Sequence, residues 1–197
     1  QIKVQPGYTM EEVRTRVAKT LRIQADKIRD LSIIKESIDA RKKPEIYYIL
    51  TVVFSFDQEA SLLKKQNRNK DLSQYKPVQY RFPYQVTEWK GDRPVVVGSG
   101  PAGLFCAYML AKHGFRPILI ERGKPVSDRT RDVALFWEKG ILNTESNVQF
   151  GEGGAGTFSD GKLNTLVHDK DGLNQKVLEI FVEHGANPRI LYDAKPH

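Results

Sequence analysis

Residues 95–123 read VVVGSGPAGLFCAYMLAKHGFRPILIERG, and this stretch decides the fold. Three valines run into a turn that contains Gly98, Gly100 and Gly103. An apolar helical pattern follows, and then a second apolar run that ends at Glu121. Strand, glycine-rich turn, helix, strand and an acid about 20 residues on are the fingerprint of a dinucleotide-binding βαβ unit.

Each position in this motif has a physical role. Gly98 lets the chain turn sharply off the strand, Gly100 lets a pyrophosphate approach the backbone, and Gly103 lets the helix pack closely on the strand. Pro101 suits the first helical position, where its missing N–H costs nothing. Glu121 can accept hydrogen bonds from ribose hydroxyls and disfavours the 2′-phosphate of NADP in this site. An ordinary glycine turn in a βαβ unit that binds no ligand is the alternative.

A second glycine-rich stretch, NVQFGEGGAGTFSDGKLN, covers residues 147–164. Four glycines stand within six positions of it, at 151, 153, 154 and 156. Glycine costs chain entropy on folding, so such a run favours a backbone that lies against a ligand. A hairpin loop that needs several residues with positive φ is the alternative.

The composition is that of a soluble, cytoplasmic globular protein, with 40% apolar residues and a mean hydropathy of −0.48. The longest apolar run, Ile46 to Phe56, is shorter than the roughly 18 residues that a membrane span needs. We therefore expect no membrane partner. A single cysteine excludes an internal disulfide framework. Because the chain starts at Gln1 and ends without a terminating pattern, we expect a segment of a longer polypeptide.

Periodicity divides the chain into three parts. Residues 1–57 predict a small α+β sandwich domain of βαββ order, residues 58–90 a linker, and residues 91–197 an incomplete Rossmann-like domain that binds FAD or NAD(P). The fold class is therefore α/β. Thr9 and Glu12 form a capping-box pattern before a helix. The further elements expected are strands at 31–38, at 46–56 (buried and central) and at 190–192, and helices at 134–139 and 173–184.

The net charge of +7 belongs wholly to the first part of the chain. Residues 1–90 hold 18 Lys and Arg against 11 Asp and Glu, whereas residues 91–197 hold 13 of each. Residues 1–90 could thus be a basic module that binds an acidic partner or RNA, although a solvated basic surface explains the same charge. We expect the aromatic cluster Tyr80, Phe82 and Tyr84 to pin the linker to a domain rather than to bind nucleic acid.

The two glycine motifs, GSGPAG with ERG and FGEGGAGTFSDGKL, resemble those of FAD-dependent oxidoreductases of the two-dinucleotide-fold superfamily. Within it, the chain is similar to bacterial uncharacterised FAD-dependent (NAD(FAD)-utilising) dehydrogenases. The segments LSIIKESIDARKKPEIYYIL and YDAKPH share this resemblance. It implies a flavoprotein that oxidises an unknown small molecule or NAD(P)H. Family members are longer, so we expect only part of the cofactor site here.

The resemblance also implies a set of cofactor-binding residues. The FAD pyrophosphate is expected at Gly98, Gly100, Pro101, Ala102 and Gly103. The ribose is expected at Glu121 with Arg122 beside it, and a phosphate or ribose at Arg129 or Arg131. The flavin side of the cofactor is expected at Gly153, Gly154, Ala155, Gly156 and Thr157.

The other reactive residues give weaker indications of function. Cys106 is predicted to lie in the core on the helix face that packs on the sheet. Lys162 could place a cation near the flavin, although a surface lysine after a turn explains it equally. His113, His168, His184 and His197 show no metal-ligand spacing, so we expect no metal site. No catalytic acid or base is identified. An NAD-binding dehydrogenase or sensor is the alternative function, since Glu121 suits NAD as well as FAD.

Overall fold

A computed structural model describes residues 1–163, 165 and 167–196. The chain is a mixed α/β protein with one antiparallel and one parallel sheet. It forms two compact units, the first made of Gln1–Tyr80 and Leu163–His197 and the second of Arg81–Lys162. The division into parts 1–57, 58–90 and 91–197 stays a prediction.

The first unit contains a three-stranded antiparallel sheet, and its first helix packs on this sheet. The strands are β1 (Ile2–Val4), β2 (Arg29–Lys42) and β3 (Glu45–Ser55), and the helix α1 (Met10–Leu21) lies between β1 and β2 in the sequence. The spatial order β1-β3-β2 makes β3 the central strand. The predicted βαββ order is therefore confirmed. Strand β3 is less buried than predicted, because Leu50 is its one fully buried residue.

Helix α1 begins at the predicted cap. The Thr9 side chain accepts a hydrogen bond from the Glu12 N–H at 3.2 Å, which satisfies one of the free donors at the helix start. Apolar residues recur on one side of the helix and pack on the sheet. The core of this unit consists of Ile2, Val4, Val13, Val17, Ala18, Leu21, Ile28, Leu50 and Leu62.

The last part of the chain adds α5 (Leu173–Glu183) to the first unit, close to its predicted bounds. The strand predicted at 190–192 is wrong, because Pro188–Leu191 form a 3₁₀ helix. The Asn187 side chain accepts a hydrogen bond from the Arg189 N–H at 3.0 Å, and Pro188 suits the first helical position. This local cap prevails over the β propensity of the apolar residues that follow.

The second unit is built on a parallel βαβ motif. Strand β4 (Val95–Val97), helix α3 (Pro101–Lys112) and strand β5 (Ile118–Ile120) follow one another as predicted. The strands pair with Val95 opposite Ile118 and Val97 opposite Ile120. Helix α4 (Val126–Lys139) follows and begins eight residues before the predicted helix. The Glu152 carboxylate accepts a hydrogen bond from the Val126 N–H at 2.7 Å and so caps the additional turns.

The segment predicted as a linker carries structure of its own. It includes the short helix α2 (Glu59–Lys65) in the first unit. Within the second unit, Phe82 stacks on His113 with ring centroids 4.2 Å apart, and Trp89 contacts Phe115 at 5.0 Å. Aromatic residues thus pin residues 82–89 to the end of α3, which agrees with the prediction for Phe82, whereas Tyr84 of the predicted cluster is exposed.

The basic residues of the first unit are partly neutralised by neighbouring acids. Arg16 pairs with Glu12 at 3.3 Å, and Arg41 pairs with Asp39 at 2.7 Å. Such exposed pairs contribute little to stability. The idea of an acidic or RNA partner stays a prediction.

Cys106 corrects one expectation. Its side chain is exposed, so the predicted core position is wrong. Among the described residues, helix α3 packs on strands β4 and β5, and Ala107 is its one buried residue. None of the described helices combines the length and the apolar character that crossing a membrane requires.

Candidate functional site at the glycine loops

The first glycine turn links strand β4 to helix α3. Gly98 has φ +94°, a conformation that L side chains rarely adopt, and its N–H donates to the Ile120 carbonyl at 2.6 Å. A Cβ at Gly103 would lie 1.9 Å from the Gly98 carbonyl oxygen. Glycine at 103 therefore allows the helix to pack directly on the turn, which is the role that the sequence predicts for it.

The start of α3 is open on the side that a Cβ at Gly100 would occupy. Gly100 is its N-cap, and a Cβ built there meets nothing within 4 Å. Pro101 has no N–H, and the Leu104 N–H donates to the Gly100 carbonyl at 2.9 Å. The N–H groups of Ala102 and Gly103 lie in the first turn, where the helix offers no preceding carbonyl to accept them. Together with the helix dipole, they suit an anionic group in front of Gly100.

Glu121 ends strand β5 and faces the first glycine turn. Its Oε2 accepts from the Ser99 N–H at 2.6 Å and from the Ser99 hydroxyl at 3.1 Å, while its Oε1 accepts from the Gly123 N–H at 2.7 Å. Main-chain hydrogen bonds, first that of Ser99 and then that of Gly123, lower the pKa of Glu121. The carboxylate is therefore ionised at neutral pH, and its remaining lone pairs can accept from a ligand hydroxyl.

The second glycine loop, residues 151–156, lies directly on the first. The Gly153 N–H donates to the Ser99 carbonyl at 2.8 Å. A Cβ at Gly154 would lie 3.2 Å from the Gly100 Cα and 3.3 Å from the Pro101 Cδ. The sequence placed both loops in one site, and the structure brings them into main-chain contact.

A third segment, the ERG sequence at residues 121–123, joins the two loops. A Cβ at Gly123 would lie 2.4 Å from the Gly151 Cα, so these two glycines pack backbone against backbone. The Glu152 N–H donates to the Lys124 carbonyl at 3.2 Å. Glycine at 123 is thus required by this contact, and the three segments form one platform beside the start of α3.

The side chain of Arg129 lies buried behind this platform and stabilises it by hydrogen bonds. Its side chain is fully buried, with 0% of its surface exposed. Its guanidinium donates to the main-chain carbonyls of Asn147 at 3.0 Å, Val148 at 3.1 Å and Gly154 at 3.0 Å, and also to that of Glu152. These donors are committed to the main chain, so Arg129 holds the loop rather than presenting a free guanidinium to a ligand.

The other predicted residues occupy more exposed positions. Arg122 lies over the Phe150 ring at 4.6 Å, and Arg131 pairs with Asp128 on the surface of α4. Ala155 to Phe158 form a 3₁₀ turn, in which the Thr157 hydroxyl donates to the Glu152 carbonyl at 3.3 Å. Cofactor contacts by these residues stay predictions.

Lys162 forms an exposed ion pair with Asp160 at 2.7 Å, as a surface lysine after a turn would. Among residues 1–163, 165 and 167–196, no group of three or more His, Cys, Asp and Glu side chains is arranged to hold a metal ion. His197 lies outside the described residues. The described part of the site therefore consists mainly of main chain.

Sequence reasoning missed two supporting side chains, Arg129 as the anchor of the loop and Glu152 as the cap of α4. One signal was present, because Glu152 interrupts a run of glycines where an acid needs a hydrogen-bonding role. Nothing in the sequence distinguishes the buried Arg129 from the exposed Arg131 nearby. Both contacts join residues about 20 or more positions apart, which local patterns do not reveal.

Comparison with known proteins agrees with this geometry. Residues 1–55 match the model of a domain of unknown function, DUF8436, and residues 96–149 match that of an NAD(P)-binding Rossmann-like domain. An uncharacterised protein of Clostridium beijerinckii is 45% identical over 182 residues, which cover 92% of this chain and 34% of that protein. The chain thus spans about a third of this relative. The parallel βαβ unit and the match over 96–149 together make the second unit a partial Rossmann-like domain of the dinucleotide-binding kind.

Proposed function

We propose that this protein is an FAD-dependent oxidoreductase and that the two glycine loops form part of its FAD site. The contact of the second glycine loop with the first is the observation that carries the proposal. It places a second stretch of bare main chain directly beside the start of α3, through the Gly153–Ser99 hydrogen bond at 2.8 Å. The match to a dinucleotide-binding domain supports the general class.

The residues present fit the phosphate and ribose parts of such a cofactor. A Cβ at Gly100 would meet nothing within 4 Å, and we place the diphosphate on this side, where the N–H groups of Ala102 and Gly103 would bind it. Glu121 would accept from the ribose hydroxyls of the adenosine half. Since this carboxylate is ionised at neutral pH, it would repel a 2′-phosphate, and NADP is disfavoured at this position.

The second glycine loop favours FAD over NAD. A simple NAD domain binds its dinucleotide with the βαβ turn and the acid after the second strand, and it has no need of another glycine run. Here Gly154 and Gly156 lie beside Pro101 at the start of α3, which supports a contact of this loop with a part of the ligand beyond the diphosphate. We assign the flavin side of the cofactor to this loop.

The chemistry that FAD supplies is the acceptance of hydride or electrons at its ring system. The residues of this chain would bind the cofactor, orient it and shield the diphosphate from water. The substrate, whether NAD(P)H or another small molecule, is expected to meet the flavin beyond the described platform. We assign no catalytic acid or base to this chain.

An NAD-binding dehydrogenase or sensor is the second candidate. It is favoured by the match itself, since the matching model describes an NAD(P)-binding domain. It requires the same loop around Gly98 to Gly103 and the same Glu121. It gives the second glycine loop no ligand role, which is the difference that an experiment can detect.

The test is the absorption spectrum of the intact protein as purified and after addition of FAD, together with calorimetric titration by FAD and NAD. We expect flavin absorption and tight binding of FAD. Tight binding of NAD without any uptake of FAD would support the second candidate. Failure to bind either nucleotide would contradict both.

A further inference from the structure

Arg129 is the largest fully buried side chain among the described residues. Burying a charge costs free energy unless hydrogen bonds or an opposite charge compensate it. No described carboxylate lies within ion-pair distance of its guanidinium, which is compensated by four main-chain carbonyls and by the Phe158 ring at 5.0 Å. Such a costly arrangement calls for a specific explanation.

The geometry of these contacts is that of a clamp. One side of the guanidinium donates to the carbonyls at 147 and 148, before the second glycine loop, and the other side donates to those at 152 and 154, within it. A planar fork of donors can hold both ends at once, whereas a lysine ammonium has only three donors at one point. Gly151 fits the same arrangement, since a Cβ there would lie 2.5 Å from the Arg129 Cδ.

The held loop is also the one that meets the first glycine turn. The Gly154 carbonyl accepts from Arg129, and the Cα of the same residue lies against Gly100 and Pro101. A single residue thus separates the buried guanidinium from the start of α3.

We propose that Arg129 is a positioning residue of the dinucleotide site. It fixes the second glycine loop against the first, and its positive charge lies behind the place where a diphosphate would bind. The inference rests on the proposed function for the ligand, and it adds that the site selects an anionic diphosphate over a neutral nucleoside. A positive charge in a site of low dielectric attracts an anion more strongly than it would in water.

The experiment compares wild-type protein with Arg129→Lys, Arg129→Gln and the control Lys139→Gln. The control removes one positive charge from the exposed end of the same helix. Each intact protein is freed of bound nucleotide and titrated with ADP and with adenosine. Amide hydrogen exchange of residues 147–154 is measured without ligand, so that the clamp is tested separately from the proposed function.

Both Arg129 variants are expected to accelerate exchange of residues 147–154. Arg129→Gln removes the buried positive charge as well as the contacts that hold the loop, so we expect it to weaken ADP binding by about tenfold. Adenosine binding should change far less, and Arg129→Lys should recover part of the ADP affinity because it keeps the charge. Lys139→Gln should match the wild type in all three measurements.

Unchanged exchange of the loop in both variants would overturn the clamp. Equal losses for ADP and adenosine would overturn the role of the charge. Accelerated exchange in a protein whose wild type binds neither ADP nor FAD would uphold the clamp and contradict the proposed function instead. If the variants do not fold, side-chain NMR of wild-type arginines replaces them: slowly exchanging Nη protons that shift with ADP support the proposal, and a freely rotating guanidinium overturns it.

Discussion

The carboxylate of Glu121 accepts hydrogen bonds from both the main-chain N–H and the hydroxyl of Ser99, which stands 22 positions earlier in the chain. The acid that marks the end of the second strand is therefore part of the glycine turn itself. Its hydrogen bonds hold the turn in place while the carboxylate is ionised. Ser99 in turn accepts from the Gly153 N–H through its carbonyl, so one residue connects the acid to both glycine loops.

Glu121→Gln is expected to lower the thermal stability of the protein by an amount that depends on pH. Hydrogen bonds hold the folded-state pKa of Glu121 below its unfolded value, so the unfolded state binds more protons in acid. The contribution of the carboxylate is complete above the unfolded pKa and is lost as the pH falls through the folded one. The difference in Tm between wild type and variant should be constant from pH 7 to pH 5 and shrink only below about pH 4.3.

A difference in Tm that changes between pH 5 and pH 7 would point to another titrating group. Differential scanning calorimetry of both proteins across this range makes the comparison. A Glu121→Gln protein as stable as the wild type at pH 7 would contradict the bracing role.

Gly100→Ala and Gly103→Ala are expected to separate binding from folding. A Cβ at 103 would lie 1.9 Å from the Gly98 carbonyl oxygen, so the helix must move, at a cost of about 1–3 kcal/mol in the free energy of unfolding. A Cβ at 100 meets nothing within 4 Å, so stability should change by no more than about 0.5 kcal/mol. It would, however, occupy the space in front of the helix where we place the diphosphate.

Urea unfolding and calorimetric titration with FAD check the two effects on each variant. The account expects Gly100→Ala to fold normally and to lose most of its affinity. Wild-type affinity in that variant would show that the ligand does not approach Gly100.

Gly154→Ala is expected to displace the second glycine loop. Gly154 has φ +63° and ψ −159°, a region nearly restricted to glycine, and an alanine there costs about 1–3 kcal/mol. Its Cβ would also press on Gly100 and Pro101, at 3.2 and 3.3 Å. We expect a loss of FAD affinity beyond the loss of stability, measured by the same titration.

Gly161→Ala is the matched control for this variant. Gly161 has φ +81°, but a Cβ there meets nothing within 4 Å. Its positive φ also disfavours an alanine, and the variant should retain its affinity for FAD. Equal effects of the two substitutions on affinity would contradict a specific role of the contact between the loops.

Glu36→Ala is expected to destabilise the first unit. The Glu36 carboxylate is 95% buried and accepts from the Arg189 Nη2 at 2.6 Å and from the Tyr8 hydroxyl. Burial, and then the hydrogen bond to Glu36, raises the pKa of Tyr8. Removing the acceptor takes away the partner of the Tyr8 hydroxyl and the ion pair of Arg189, which keeps a longer contact with Asp193 at 3.6 Å, and we expect a cost of about 1–3 kcal/mol.

Glu12→Ala is the control for Glu36→Ala, because its ion pair with Arg16 at 3.3 Å is exposed and such pairs contribute below about 1 kcal/mol. Chemical unfolding of both variants measures the difference. Equal stabilities would show that Glu36 does not anchor residues 189–194 to β2.

The sequence predicts the βαβ unit well because its determinants are local. These determinants lie within about 25 residues of one another. They are the glycines that permit a turn or a close approach, the proline at the first helical position and the acid after the second strand. The same locality explains the Thr9 cap of α1. The part of the site that lies in main chain was therefore predictable from residue types alone.

Long-range contacts explain what sequence reasoning missed. Helix α4 extends to Val126 because of Glu152, 26 positions later. Arg129 is buried because carbonyls 18 to 25 positions away accept its donors. Cys106 is exposed on α3 and does not pack against the sheet, and the cap at Asn187 starts a 3₁₀ helix where the sequence predicts a strand over 190–192.

The central claim is that FAD lies on the platform formed by the two glycine loops. Calorimetric titration of the nucleotide-free intact protein with FAD, repeated with Gly100→Ala, tests it most directly. The account predicts tight binding of FAD by the wild type and a loss of most of that affinity in a variant that remains folded. Absence of FAD binding, or equal affinity in the two proteins, would contradict it.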